Sequence, residues 1–192
     1  MRFDEEAKLW DEKPRRVALG KAVSEYVSKY INKDSEVLDF GCGTGLVSLN
    51  FCNKAKTIVG VDLSCEMINI YNKKAKSIKC NAIGICDDVI NIKGKFDIIT
   101  ASMVFHHIEN IDEIMGILSE KLKPNGKLFV ADLAKEDGSF HDKGNNDVYH
   151  FGFSEEDFIH DNFMIKDFSK IYTIQKHKEF DVYIAYLEKR GV

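Results

Sequence analysis

No stretch of this 192-residue chain stays apolar for the length that a membrane helix needs. The opening residues, Met1-Arg-Phe-Asp-Glu-Glu-Ala-Lys8, carry too much charge for an export signal. Both observations lead us to expect a cytoplasmic protein without a membrane partner. An excess of basic charge is also missing: 27 Lys and Arg stand against 31 Asp and Glu, a net charge of −4. Nucleic-acid binding through a basic face is therefore not expected. Of the five cysteines (Cys42, Cys52, Cys65, Cys80 and Cys86), none falls in a Cys-x-x-Cys spacing, and the number is odd. Reduced thiols are the expectation, several of them packing as small apolar residues in or beside strands. No His-x-x-x-His or matching carboxylate spacing supports a metal site. With no repeat and no sign of a second domain, one domain over residues 1–192 is expected.

What is present is an alternation of short apolar runs with helical periodicity. The polar stretch to Pro14 reads as an arm, residues 1–14, whose Trp10 is free to dock. Val23, Tyr26, Val27, Tyr30 and Ile31 recur at helical spacing. Strands are expected at Glu36-Val-Leu-Asp39, Thr57-Ile-Val-Gly-Val61, Ala82 to Cys86, Phe96 to Ala101 and Lys127 to Ala131. Helices are expected from about Leu46, after the N-cap Ser64, and after Asn110, the last stopping at Pro124-Asn-Gly126. Residues 133–152 hold Gly138, Gly144, Asn145, Asn146 and Gly152 with little periodicity, which reads as a lid-like loop. Ser154 with Asp157 restarts a helix, and two strand-like runs (about Met164 to Ile174 and Glu179 to Leu187) close the chain as an antiparallel pair. Strands apolar on both faces and separated by helices imply a doubly wound α/β sheet, parallel at its centre.

The first strand runs into Gly41-Cys42-Gly43-Thr44-Gly45. Glycines there let the backbone come close to a ligand at the carboxyl ends of the strands. Asp62 ends the next strand about 20 residues on, where a carboxylate accepts hydrogen bonds from the hydroxyls of a ribose. Asp87 and Asp88 end the third strand on the same rim, and one of them could accept from an adenine amine. The dinucleotide fingerprint would put a third glycine at position 46, but Leu46 stands there. Asp39, two residues before the loop, would repel a pyrophosphate and suit an ammonium group.

Val37-Leu-Asp-Phe-Gly-Cys-Gly-Thr-Gly-Leu46 resembles the first motif of the class I S-adenosylmethionine-dependent methyltransferases. Val59-Gly-Val-Asp-Leu-Ser64, Phe96-Asp-Ile-Ile-Thr-Ala-Ser-Met-Val-Phe-His-His107 and Leu122-Lys-Pro-Asn-Gly-Lys-Leu128 are similar to that family in the right order. The resemblance implies a seven-stranded sheet of order 3-2-1-4-5-7-6 with the seventh strand antiparallel. It implies S-adenosylmethionine as cofactor and S-adenosylhomocysteine as product. Asp39 would then serve the methionine end, with Gly41, Cys42 and Gly43 passing beneath it. Asp62 would hold the ribose, and Leu63 and Met67 would lie beside the adenosine. Asp87 would meet the adenine amine, assisted by Asp88, while Ala101 and Ser102 would line the cofactor near its sulfur. The usual Leu-Pro after the third strand is missing, which leaves the division between Asp87 and Asp88 open.

Methyl transfer needs alignment and dryness first, and a base only when the acceptor must lose a proton. His106 and His107 follow the fourth strand, and His141, Tyr149 and His150 lie in the loop that would roof the same rim. His150 is the expected substrate-side residue, while His106 and His107 could equally pack beneath the following helix. Phe140, Tyr149, Phe151 and Phe153 could build an apolar lid, and Arg15 and Arg16 could bind a carboxylate. A small-molecule acceptor is expected, since neither a basic groove nor an extra domain is present. The alternatives are a noncatalytic adenosylmethionine-binding sensor and, disfavoured by Leu46 and Asp39, an NAD-dependent oxidoreductase.

Overall fold

A computed structural model describes residues 2–141 and 147–191, with the backbone alone for Arg2. Gly144, Asn145 and Asn146 of the expected lid lie outside the described residues. Seven strands form one sheet: β1 (Glu36–Phe40), β2 (Thr57–Asp62), β3 (Ala82–Cys86), β4 (Phe96–Ser102), β5 (Leu122–Leu133), β6 (Phe163–Gln175) and β7 (Glu179–Lys189). Their order is β3-β2-β1-β4-β5-β7-β6, parallel through β5 and antiparallel where β7 pairs with β5 and β6. This is the Rossmann-like topology of the methyltransferase fold.

β1 is central because it can be: Val37, Leu38 and Asp39 are buried in a row, so both faces are covered. On one face, Val23 and Val27 of α2 (Pro14–Val27) pack with Val37, Ile98 and Phe129. On the other, Ile114, Met115 and Leu118 of α4 (Ile111–Lys121) meet Leu38, Ile99 and Leu128. Burying an aliphatic side chain of this size is worth about 1.5–3 kcal/mol. The expected N-caps form: Ser64 Oγ accepts the Met67 N–H at the start of α3 (Cys65–Ser77), and Asn110 accepts the Glu113 N–H before α4. β1 pairs with β2 on one side and β4 on the other, so the chain reverses direction of travel across the sheet at β1. A crevice opens there, above the carboxyl ends.

Several expectations are corrected. The segment after Leu46 is two 3-10 turns over Ser48–Lys54 rather than an α-helix, because Phe51 leaves the helical region (φ −108°, ψ 17°) to bury its ring. Ser154 and Asp157 form their capping box, but it closes only a 3-10 turn, Glu155–Phe158. α4 ends earlier than expected, at Lys121, and Pro124-Asn-Gly126 falls instead within β5, which begins at Leu122, with Asn125 at φ +57° and a register shift against β4. The N-terminal arm is ordered: α1 (Arg2–Glu6) and a 3-10 turn (Ala7–Glu12) fold back over the sheet's rim. Trp10 anchors it by lying against Arg16, the guanidinium carbon 3.4 Å from the ring centroid.

The thiols are corrected too. Cys52 pairs with Cys80 (Cα–Cα 5.7 Å) and Cys65 with Cys86 (5.0 Å), while Cys42 is free and buried. Separations of 28 and 21 residues hide these pairs in the sequence. The β2–α3–β3 crossover brings them together, since it returns the chain to the same sheet edge. Among the described residues, no helix is long and apolar enough to cross a membrane.

Candidate active site

Over the carboxyl ends of β1, β2 and β4 lies a cavity of about 550 Å³, a size suited to a small ligand. Asp39, Gly41, Cys42, Gly43, Asp62, Leu63, Met67, Asp87, Asp88 and Ser102 all line it. Ala101 does not: it is wholly buried within β4, between Phe40 of β1 and Val130 of β5.

Gly41 has φ +66°, and a Cβ there would meet Val104 Cγ2 at 2.3 Å. At Gly43 (φ +50°) a Cβ would meet only Trp10 Nε1, at 4.0 Å, so a side chain there would fill the cradle rather than clash with its wall. Asp62 fixes this loop, its two oxygens accepting the Gly43 and Ser64 N–H groups at 2.9 Å each. Burial pushes the Asp62 carboxyl up, while those two N–H bonds favour its ionised form.

Asp39 is 2% exposed, and its Oδ2 is buried without a hydrogen-bond partner. Burial pushes the carboxyl up to about 7, against the Ser48 hydrogen bonds and with the neighbouring Asp62 charge adding to the rise. An unpaired buried carboxylate oxygen is costly unless a cation meets it. On the far side, Asp87 Oδ1 accepts from the Asn91 side chain and the Asp88 N–H at 2.7 Å each, which holds its carboxyl below the usual range. Asp88 Oδ1 instead accepts the Ile90 N–H and caps the turn Val89–Asn91. Both residues line the cavity, but their Oδ1 atoms serve different local contacts: Asp87 holds Asn91 and the Asp88 N–H, and Asp88 holds the Ile90 N–H.

The arm closes the mouth. Asp11 accepts the Thr44 hydroxyl at 2.5 Å and pairs with Lys74 of α3 at 2.8 Å, and Asp4 accepts the Ser64 hydroxyl at 2.6 Å. Phe3 meets His107 edge-on at 5.5 Å. These contacts were not legible in the sequence, because nothing local links residue 11 to residues 44 and 74.

The histidines divide. His106, His107 and His141 line the cavity with Phe140, their rings tilted against one another with centroids 4.0 Å (His106 to His107) and 4.9 Å (His106 to His141) apart. His107 Nδ1 donates to the Asp147 carbonyl at 2.5 Å; burial, then the neighbouring His106, lowers its basicity. His141 is pushed down to about 4, by burial first and then by His106 and His107. His150 is a correction. Its Nε2 meets the Ile108 and Glu109 carbonyls (2.9 and 3.3 Å), and it lines a separate open groove with Asn110 and Asp157. Tyr149 lies outside the cavity as well, 54% exposed, its backbone N–H bound to the His106 carbonyl. The backbone N–H groups of both residues bind the His106 carbonyl (2.9 and 3.3 Å), and the His150 ring is taken up by the Ile108 carbonyl. Asp132, which the sequence reading passed over, sits buried at the end of β5 against His106. Its partner His106 stands 26 residues earlier in the chain, so no local signal marks the pair.

Sheet order, glycine cradle and a rim of three separated carboxylate positions define a class I methyltransferase fold with an adenosine-type site. A family model described as "Methyltransferase domain" matches residues 10–168. The chain belongs to the class I S-adenosylmethionine-dependent methyltransferases. It is 39% identical over 116 residues to an uncharacterised methyltransferase of Schizosaccharomyces pombe, the match covering 55% of this chain and 41% of that protein. It is 32% identical over 105 residues to the ubiquinone biosynthesis O-methyltransferase of Pelagibacter ubique (54% and 44%). The chain spans less than half the length of these curated relatives. Among solved structures, the N-methyltransferase NodS of Bradyrhizobium japonicum aligns with a TM-score of 0.73 at 14% identity (94% and 99% covered). An S-adenosylmethionine-dependent methyltransferase of Clostridium acetobutylicum aligns at 0.68 and 20%, over the whole of both chains. Those two likenesses concern the fold.

Proposed function

We propose that the protein transfers a methyl group from S-adenosylmethionine to a small-molecule acceptor. The observation that carries this is the buried, unpaired oxygen of Asp39 beside the glycine cradle: it awaits a cation, and the cofactor's methionine ammonium is one. Asp62 would hold the ribose hydroxyls, Asp87 the adenine amine, and Leu63 and Met67 the faces of the adenosine. Ser102 would border the methionine end. Arg15, at the opening turn of α2, offers its charge to a carboxylate.

When bound, S-adenosylmethionine supplies an electrophilic methyl on a sulfonium. The chain's own part is placement and dryness. The arm, through Asp11 on Thr44 and Lys74, holds the mouth shut, and Phe140 with Met103 and Ile174 lines the inner wall with apolar surface. Excluding water there strengthens each polar contact and protects the attacking atom. A nucleic-acid acceptor is disfavoured because the net charge of −4 offers no grip on phosphates. A single domain over residues 1–192 and a cytoplasmic setting belong to the same proposal.

Calorimetric titration with S-adenosylmethionine, S-adenosylhomocysteine and NADH tests it. We expect micromolar binding of the first two, lost in Asp62→Ala, and none of NADH. Binding of NADH alone would overturn the methyltransferase reading. Tight binding of both sulfur ligands with no turnover across a broad acceptor panel would favour a sensor.

A further inference from the structure

The placement just described makes no use of Asp132, a carboxylate 3% exposed at the end of β5. Its Oδ2 accepts the His106 backbone N–H (3.2 Å), and its Oδ1 meets both His106 Nδ1 and the Leu133 N–H (2.8 Å each). A carboxylate has no proton to give, so Nδ1 is the donor and Nε2 is the basic atom of the ring. Among the described residues no hydrogen bond meets Nε2. The ring borders the cavity with its Nδ1 edge tied back to β5, which leaves Nε2 for the contents of the cavity.

The surroundings suit proton uptake from a neutral donor. His107 and His141 flank the ring, and both are held below the usual histidine range, so neither adds a full positive charge near neutral pH. Behind them stand Asp147, 3.7 Å from His107, and Lys176, whose charge acts on His141. Leu19, Met103, Phe140 and Ile174 contribute apolar surface to the wall of the same cavity. Both oxygens of Asp132 are engaged by N–H groups of His106 and Leu133.

We propose that His106, oriented by Asp132, is the general base toward the acceptor, and that the acceptor is a small apolar molecule with a weakly acidic hydroxyl, a phenol or an enol. The inference rests on the methyltransferase reading above. The acceptor's O–H bond breaks and its proton passes to His106 Nε2. The acceptor oxygen's electron pair forms the new bond to the methyl carbon while the carbon–sulfur bond breaks, its pair staying on sulfur. The resulting imidazolium is stabilised by Asp132 and later releases its proton to water. Asp132 is a positioning residue: it fixes the tautomer and supports the charge that develops.

The test uses 4-nitrophenol added to the protein saturated with S-adenosylhomocysteine, where no turnover occurs. Its phenolate absorbance is followed against pH. In the wild type the bound probe should ionise about one pH unit or more below the free phenol. That advantage should vanish in His106→Gln and shrink in Asp132→Asn, with S-adenosylhomocysteine affinity measured alongside in both. Long-range ¹H–¹⁵N spectra of the wild type alone should show His106 as the Nδ1–H tautomer, a readout independent of whether either variant folds. An Nε2–H tautomer, or phenolate formation unchanged in both variants, would overturn the dyad. Failure of 4-nitrophenol and of less acidic phenols to bind the complex would overturn the acceptor class. Failure of the wild type to bind S-adenosylhomocysteine removes the underlying reading instead, and is seen before any phenol is added.

Discussion

Asp39 shows how one residue ties stability to ligand. Its folded pKa, about 7, lies above the unfolded value near 3.8. The folded state therefore holds the proton more tightly, and the protein loses stability as pH rises from about 4 through 7. Asp39→Asn should raise the stability of the unliganded protein by roughly 2–4 kcal/mol at pH 8 and by much less at pH 5. Thermal melts at the two pH values check this; equal shifts would mean that Asp39 is paired in the free protein. The same substitution should weaken S-adenosylmethionine binding by about 10- to 100-fold, since a charged hydrogen bond is lost. Wild-type affinity should climb from pH 6 to pH 8 as Asp39 ionises, and calorimetry of the variant should show a flatter profile. Asp39, Asp62 and Asp87 were legible as acids at strand ends. Asp132 was not singled out, because a lone acid after a strand carries no message until its imidazole partner is seen.

At the scale of elements, the arm and the loop before β6 shape the mouth. Asp11 touches two elements at once, so Asp11→Ala should speed dissociation of S-adenosylhomocysteine about tenfold, as read by stopped-flow. The melting temperature should barely move, because a half-exposed ion pair contributes about 1 kcal/mol or less. Gly152 has φ +84°, and a Cβ would lie 2.0 Å from the Ala134 carbonyl oxygen. Gly152→Ala should therefore cost more than about 2 kcal/mol in urea unfolding and loosen the loop beside His106. The five central strands were readable from their apolar runs, with ends shifted by a residue or a few. The arm's order was not, because its contacts are long-range and polar.

For the whole molecule, the two disulfides bind the β2–α3–β3 quarter to itself. Each closes a loop of 20 to 30 residues, for which loss of chain entropy predicts about 3 kcal/mol. Reduction should lower the denaturation midpoint without changing the sheet's circular dichroism, and Cys52→Ser should reproduce part of the drop. Alkylation of the protein in intact cells tests the compartment as well. One reactive thiol, exposed only after denaturation, would mean that both bridges form there; five would mean a reducing cytoplasm.

The central strands, the glycine cradle and the carboxylates of the cofactor rim follow from local signals: apolar runs of strand length, glycines at strand ends, acids at fixed offsets; the strand order came from the resemblance of the motifs to a known family. Such signals survive in one dimension because each acts within a few residues of itself. Tertiary structure alone decided the rest. It paired four cysteines across a crossover, folded residues 2–12 over the mouth, moved His150 to another groove and set Asp132 against His106. Each of these joins residues more than 20 positions apart, or turns on a backbone angle that only the packed chain imposes. Distance along the chain says nothing of either.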